Sequence, residues 1–308
     1  MPVNLGRIVF WSVLASTPFA ILLFRGRTWG GGPLGNVRRV AVDYRWHIAL
    51  FASVIAGKNW IDSLNDPVRG VFGDFTWLMP RIEGHAVLWI QETFKHPTLT
   101  AFLAVHYLWM FVFLNYFTIL LFAYRDDRAL AGMNVLCYLL VYLLAIPFYI
   151  FFNVQVTSDA IPGMEALLYH GAPSFYEFFI RVDPLDNAFP SLHIAVPWSF
   201  ILVTYWQMRR RGYTLRDWEH RGYLLFMIVN FLVFVFSILY LGIHWITDIP
   251  GGLLLGLLGA TLAEEFEKDL FSVFRGLEAR AKAVLAPLGR RARPWADRLR
   301  ENLRDRLR

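Results

Sequence analysis

Along the chain, long apolar runs alternate with short polar breaks at a spacing that suits a bilayer. Six runs stand out, at about 8–24, 98–123, 130–153, 190–206, 223–241 and 245–263, several of them rich in Phe and Leu and poor in charge. A helix needs roughly 20 apolar residues to cross the hydrocarbon region. The runs meet or approach that length, and each predicts a membrane helix. The expected fold class is all-α: a polytopic membrane protein with a six-transmembrane-helix core. The first run follows a positive charge, as in a signal peptide, but Arg25 and Arg27 come after it and no small-residue cleavage site is evident. It therefore reads as a retained first span.

The polar breaks divide the chain further. The segment 25–97 opens with the turn-forming, basic stretch RGRTWGGGPLGNVRR. Its apolar stretch 47–57 is too short to span. In IEGHAVLWIQETF, Ile82, Ala86, Trp89, Ile90 and Phe94 fall on one face. That pattern predicts a helix in the interface plane, or one packed over the membrane helices. From 264 onward Phe266, Leu270, Phe271, Phe274 and Leu277 form a helical stripe, which Pro287 and Pro294 are expected to interrupt. Trp295, Leu299, Leu303 and Leu307 then recur among arginines. From Arg275 to Arg308 there are eleven basic and four acidic residues. This tail predicts an amphipathic helix on an anionic membrane surface, with a solvated or partner-binding helix as the alternative. The expected parts are a first membrane helix (1–24), an extramembrane or interfacial segment (25–97), a catalytic membrane core (98–263) and the basic tail (264–308), with no repeat among them.

Composition narrows the class. The chain is 56% hydrophobic, with mean hydropathy +0.42, which excludes a soluble domain of 308 residues. Many of its aromatic residues lie near the ends of apolar runs, as interfacial belts require. The single cysteine, Cys137, excludes an intramolecular disulfide and a Cys-based metal site. No nucleic-acid partner is expected.

Two polar clusters interrupt the apolar pattern: DNAFPSLH at 186–193 and YLGIHWITDIPGG at 240–252. Burying an imidazole at the threshold of an apolar run costs free energy unless it has partners. His244 and Asp248 are four apart, which on a helix puts both on one face. A carboxylate there can hold one ring nitrogen, fix the tautomer and leave the other nitrogen free. His193 begins the fourth span and His244 the sixth, so the two helices run parallel and both imidazoles lie at one membrane face. The loop 154–189, with His170 and Arg181, lies on that face too. Ionisable residues at membrane helices mark function by default, and this set suits transfer of a charged group. His244 can attack phosphorus. His193 can protonate the departing alcohol and then activate the acceptor. Ser191 and the N–H groups at the helix start can hold phosphate oxygens. Arg181 can add a planar fork of donors, and His170 is a candidate headgroup contact.

FPSLH followed by HWITD resembles the second and third signature motifs of the type 2 phosphatidic acid phosphatase superfamily, Pro-Ser-x-His and His-x3-Asp, at Pro190, Ser191, His193, His244 and Asp248. The resemblance covers roughly 98–263, with the first span as the sixth helix. It implies a metal-free, cofactor-free phosphatase or phosphotransferase with membrane lipids as substrates. It also implies His244 as nucleophile, Asp248 as its orienter, His193 as acid and base, and Ser191 as phosphate contact. The Phe-Pro-Ser-Leu-His form is most similar to the inositol phosphorylceramide synthase branch, whose members transfer a phosphoinositol headgroup between lipids. The superfamily's first motif, with its Lys and Arg-Pro, has no counterpart: no Lys occurs between Lys95 and Lys268, and Arg181 is the candidate substitute. The arginine that often opens the third motif is also missing, since Ile238 follows Ser237. Fewer phosphate-binding cations favour a singly charged phosphodiester over a phosphomonoester, and hence headgroup transfer.

Charge sets the expected orientation. Arg7, Arg125, Arg128, the triple arginine at 209–211, Arg216, Arg221 and the tail lie on the face opposite the histidines. Positive charge in short loops favours the cytoplasm, and charge in long loops such as 25–97 weighs less. Both termini are expected in the cytoplasm and the histidines at the extracytoplasmic or luminal face. Three other readings compete: a lipid phosphate or polyprenyl diphosphate phosphatase of the same superfamily; a metal site on His193, His244 and Asp248; and a transporter using His and Asp as a proton relay, although no inverted repeat is present. A Ser191 nucleophile with His193 is disfavoured, since residues two apart point away from each other on a helix.

Overall fold

The computed structural model describes residues 5–24, 33–65, 71–168, 185–214, 216 and 218–306. Among these the regular structure is helical, with two isolated β-bridges, Asp74 to Asn153 and Val154 to Asn187. The helices are α1 (Leu5–Phe24), α2 (Pro33–Asp43), α3 (Arg45–Asn65), α4 (Met79–Glu83), α5 (Ala86–Phe94), α6 (Pro97–Val105), α7 (Phe111–Tyr124), α8 (Arg128–Phe151), α9 (Thr157–Ala160), α10 (Leu192–Arg210), α11 (Trp218–Tyr240) and α12 (Asp248–Arg306). A π-helical turn, His106–Met110, joins α6 to α7.

Among the described residues five helices are long and apolar enough to cross a membrane: Gly6–Phe24, Pro97–Tyr124, Arg128–Phe151, Arg221–Tyr240 and Asp248–Val284. The expected fourth span, α10, is not among them. It ends in Arg209 and Arg210 and carries Ser199, Thr204 and Gln207. It packs on α8 and α11, and most of its residues from Ile194 to Met208 are buried. A helix enclosed by other helices can keep polar residues that a lipid-facing helix cannot, because its neighbours supply partners. Gln207 donates to Glu264 of α12 at 3.1 Å, while Ser199 is satisfied within α10 by Val196 O at 2.7 Å.

Two local expectations change, over 82–94 and at the tail prolines, while 47–57 stays outside the candidate spans among the described residues. The stretch 82–94 is two helices, because Gly84 takes φ +63 and breaks the chain between α4 and α5. The apolar stripe stays outward: Ile82, Trp89 and Phe94 are exposed, while Val87 and Gln91 face the core. The apolar 47–57 belongs to the 21-residue α3, which packs on α8. Pro287 and Pro294 do not end the last helix, which runs through both to Arg306. Each proline removes one N–H donor, and the surrounding Ala, Leu and Arg residues, good helix formers, carry the helix past it.

By compactness the chain falls into two units, Met1–Glu265 and Phe266–Arg308. In the second, Phe266, Val273 and Leu277 are exposed, Phe271 and Phe274 meet edge to face at 5.9 Å, and Lys282 pairs with Glu278.

Within the first unit α12 lies close against the start of α10. A Cβ at Gly252 would sit 2.7 Å from Ser191 O, and one at Gly256 2.5 Å from Ala195 O. The obstacle is backbone, which cannot swing aside. Gly256→Ala is expected to cost about 1–3 kcal/mol, read as a lower midpoint of thermal unfolding in detergent. A wild-type midpoint would show that the two helices separate freely.

Candidate active site

The sequence DNAFPSLH is irregular up to Ser191 and helical from Leu192. The irregular part is anchored by backbone pairing. Val154 N–H donates to Asp186 O at 3.1 Å, Ala188 N–H to Val154 O at 2.9 Å, and Tyr149 OH to Pro190 O at 3.1 Å. Ser191 stands at the N-cap of α10, where a serine ordinarily accepts a hydrogen bond from the helix's first turn. Here its side chain makes no capping bond.

His244 and Asp248 are not on one helix face. His244 lies in the irregular turn after α11, and Asp248 is the first residue of α12. The four-residue spacing still brings them together, because the turn folds the imidazole back onto the helix start. His244 Nδ1 lies 2.9 Å from Asp248 Oδ2 and 2.8 Å from Ala188 O. Both neighbours are acceptors, so the ring hydrogen sits on Nδ1 and Nε2 carries the lone pair. The Ser191 hydroxyl, 3.2 Å from that Nε2, then donates to it. Asp248 is fully buried, and its Oδ2 also accepts from Trp245 N–H at 2.8 Å. Its Oδ1 has no hydrogen-bond partner among the described residues. Serine, imidazole and carboxylate form one buried chain in which Nε2 is the basic atom of the imidazole.

His193 approaches from the second position of α10. Its ring centroid lies 6.3 Å from that of His244. Tyr107 stacks on it at 3.9 Å, with the planes 21° apart, and Phe111 covers it at 4.2 Å. The π-helical turn brings both rings, four residues apart, onto one imidazole; such turns recur at functional sites. Against this aromatic wall His193 has little freedom to change rotamer.

The turn between His244 and Asp248 is held from two sides. Trp245 Nε1–H donates to Gln155 O at 2.9 Å. From the other side, the Glu83 carboxylate accepts from Ile246 N–H at 2.9 Å and Thr247 N–H at 2.8 Å.

The structure thus brings Ser191, His193, His244 and Asp248 together. His170 and Arg181 lie outside the described residues. Sequence reasoning did not find Ala188, Tyr107, Phe111 or Glu83. The first acts through a carbonyl, which any residue has. The aromatic pair is one of many in this chain. Glu83 lies in a segment read only for its apolar stripe. His106 has Nε2 3.0 Å from Asn230 Oδ1 on α11 and is not at the site. Among the described residues no group of three or more His, Cys, Asp or Glu is placed to hold a metal ion. Asp248 Oδ2 is already engaged by His244 Nδ1 and Trp245 N–H.

Residues 168–270 match the family model of the PAP2 superfamily. The match takes in Ser191, His193, His244 and Asp248, and it supports the superfamily resemblance and a lipid phosphatase or phosphotransferase type of function. Nothing in the comparisons points to the inositol phosphorylceramide synthase branch. No curated protein and no solved structure matches the chain.

Proposed function

We propose that the protein is an integral-membrane lipid phosphotransferase that works through a phosphohistidine on His244 and moves a phospho-headgroup, such as phosphoinositol, between lipids. The observation that carries the reading is the double anchorage of His244 Nδ1, on Asp248 and on the Ala188 carbonyl, which leaves Nε2 as the basic atom facing Ser191. In the first half-reaction Nε2 attacks phosphorus, the bond to the departing oxygen breaks, and His193 gives that oxygen a proton. In the second, His193 takes a proton from the acceptor hydroxyl, whose oxygen attacks phosphorus while the N–P bond breaks. Ser191 turns from Nε2 to a phosphate oxygen when substrate enters. Asp248 offsets the positive charge on the ring. Arg181 and His170 are proposed headgroup contacts, and no metal or cofactor takes part.

The choice of headgroup transfer over phosphomonoester hydrolysis rests on the missing Lys and Arg of the family motifs. Incubating the purified protein with a panel of phospholipids and ceramides, followed by mass spectrometry, tests it. A new lipid carrying the donor's headgroup is expected. Free inorganic phosphate from a phosphomonoester would favour the phosphatase reading, and inertness towards every lipid would favour a transporter.

In this reading α10 crosses the membrane as a sixth span, packed against α8, α11 and α12. The termini are cytoplasmic, the histidines face the extracytoplasmic or luminal side, and the basic tail lies on anionic lipid. In a Cys137→Ala background, an impermeant thiol reagent on intact cells is expected to label Ala172→Cys and not Tyr213→Cys. The reverse pattern would overturn the orientation and leave the catalytic roles standing.

A further inference from the structure

We infer that Glu83 is a positioning residue for the reaction, holding the His244–Asp248 turn from an element outside the family-matched region. The inference rests on the proposed role of His244. Glu83 closes α4, about 160 residues before the turn it holds. Its two oxygens are spent on two successive amides, Ile246 and Thr247, which lie inside the three-residue link between imidazole and carboxylate. Neither oxygen is aimed at His244 Nε2, so Glu83 is not an acid or base for the substrate. The same short helix touches the turn a second time, where the Thr247 hydroxyl lies 3.2 Å from Met79 Sδ and Met79 is buried.

The placement has a physical logic. Ile246 and Thr247 immediately precede α12, where unpaired N–H groups and the helix dipole favour a negative charge. An anion there is stabilised, and an apolar side chain would leave two amides without a partner. The angle between His244 and Asp248 depends on the backbone of this turn, because His244 is not on the helix. A small rotation of the 245–247 backbone would swing Nδ1 off Asp248 Oδ2. Reaction rates are sensitive to such shifts, since a misplacement of about 1 Å can cost on the order of 100-fold. The helix supplying the clamp carries the exposed Ile82 and lies between the exposed Trp77 and Trp89. The catalytic turn is thereby tied to the outward-facing apolar stripe of the 76–94 segment.

Full-length wild type, Glu83→Ala and Glu83→Gln in lipid nanodiscs provide the test. Hydrogen–deuterium exchange is followed on peptides covering residues 243–250, and kcat and KM are measured on the donor lipid found active. In Glu83→Ala the turn's amides are expected to exchange at least about 10-fold faster. There kcat should fall about 10- to 100-fold, the range typical of partners that orient a reactive group, with KM moving less than about 2-fold. Glu83→Gln keeps one acceptor and should fall between. Unchanged exchange in Glu83→Ala would show that the clamp is absent, and faster exchange with wild-type kcat would show that it does not position the site. Should Glu83→Ala loosen distant helices as well, Glu83→Gln decides, and wild-type kcat there overturns the inference. A wild-type protein that turns over no lipid defeats the proposed function, and the exchange measurement alone then judges the clamp.

Discussion

Replacing His244 by alanine is expected to abolish both turnover and covalent labelling by donor lipid. The ring offers one basic atom, Nε2, and every contact on the other nitrogen serves to keep it basic: the Asp248 carboxylate at 2.9 Å and the Ala188 carbonyl at 2.8 Å. Alanine removes the only proposed nucleophile, and loss of a nucleophile that acts in concert with its partners costs on the order of 10^6-fold in kcat. His193→Ala provides the contrast. It removes the acid for the leaving oxygen and leaves the nucleophile in place, so turnover should fall about 10^2- to 10^4-fold. A donor with a good leaving group needs little protonation, and such a donor should still label His244 in this variant. The measurement is kcat together with mass-spectrometric detection of the modified 243–250 peptide. Wild-type turnover in His244→Ala would end the nucleophile assignment. Equal loss of labelling in both variants would end the division of roles.

Asp248→Asn should fold and lose most activity. With its oxygen in the Oδ2 position the amide still accepts from Trp245 N–H, so the start of α12 keeps its bond. Towards His244 Nδ1 the same oxygen is then a weaker, neutral acceptor. In a triad the corresponding change costs about 10^4-fold, because the wrong tautomer is favoured and the developing imidazolium loses its counter-charge. Here the Ala188 carbonyl still accepts from Nδ1 and preserves part of the tautomer preference. The expected loss in kcat therefore lies nearer 10^3-fold, the range for removal of one electrostatic stabiliser. Steady-state kinetics with a thermal unfolding control read this directly. Activity within about tenfold of wild type would assign Ala188, and not Asp248, as the principal orienter of the ring.

The apolar runs made the all-helical membrane architecture legible, because lipid solvation imposes a length and a composition that survive without any knowledge of contacts. The run 190–206 reads as a span by the same criterion, yet α10 is not among the helices long and apolar enough to cross, because its polar residues sit on a helix packed against α8, α11 and α12. Gly252 and Gly256 bring α12 against the α10 backbone. What they press against, Ser191 O and Ala195 O, was not readable.

For the site, the sequence by itself determined the residue types and their grouping. Two histidines, a serine and an aspartate at the ends of apolar runs, spaced so that two parallel helices bring them to one face, were enough to name all four. Tertiary structure decided how they act on one another. His244 was expected on a helix and lies in a turn. Its second anchor is the backbone of Ala188, and the turn is held by Glu83 from a part of the chain read for other reasons. The physical reason is common to all three. A hydrogen bond to a carbonyl or an amide leaves no mark on residue type, and a contact between residues 56 or 163 positions apart exists only once the helices between them have packed.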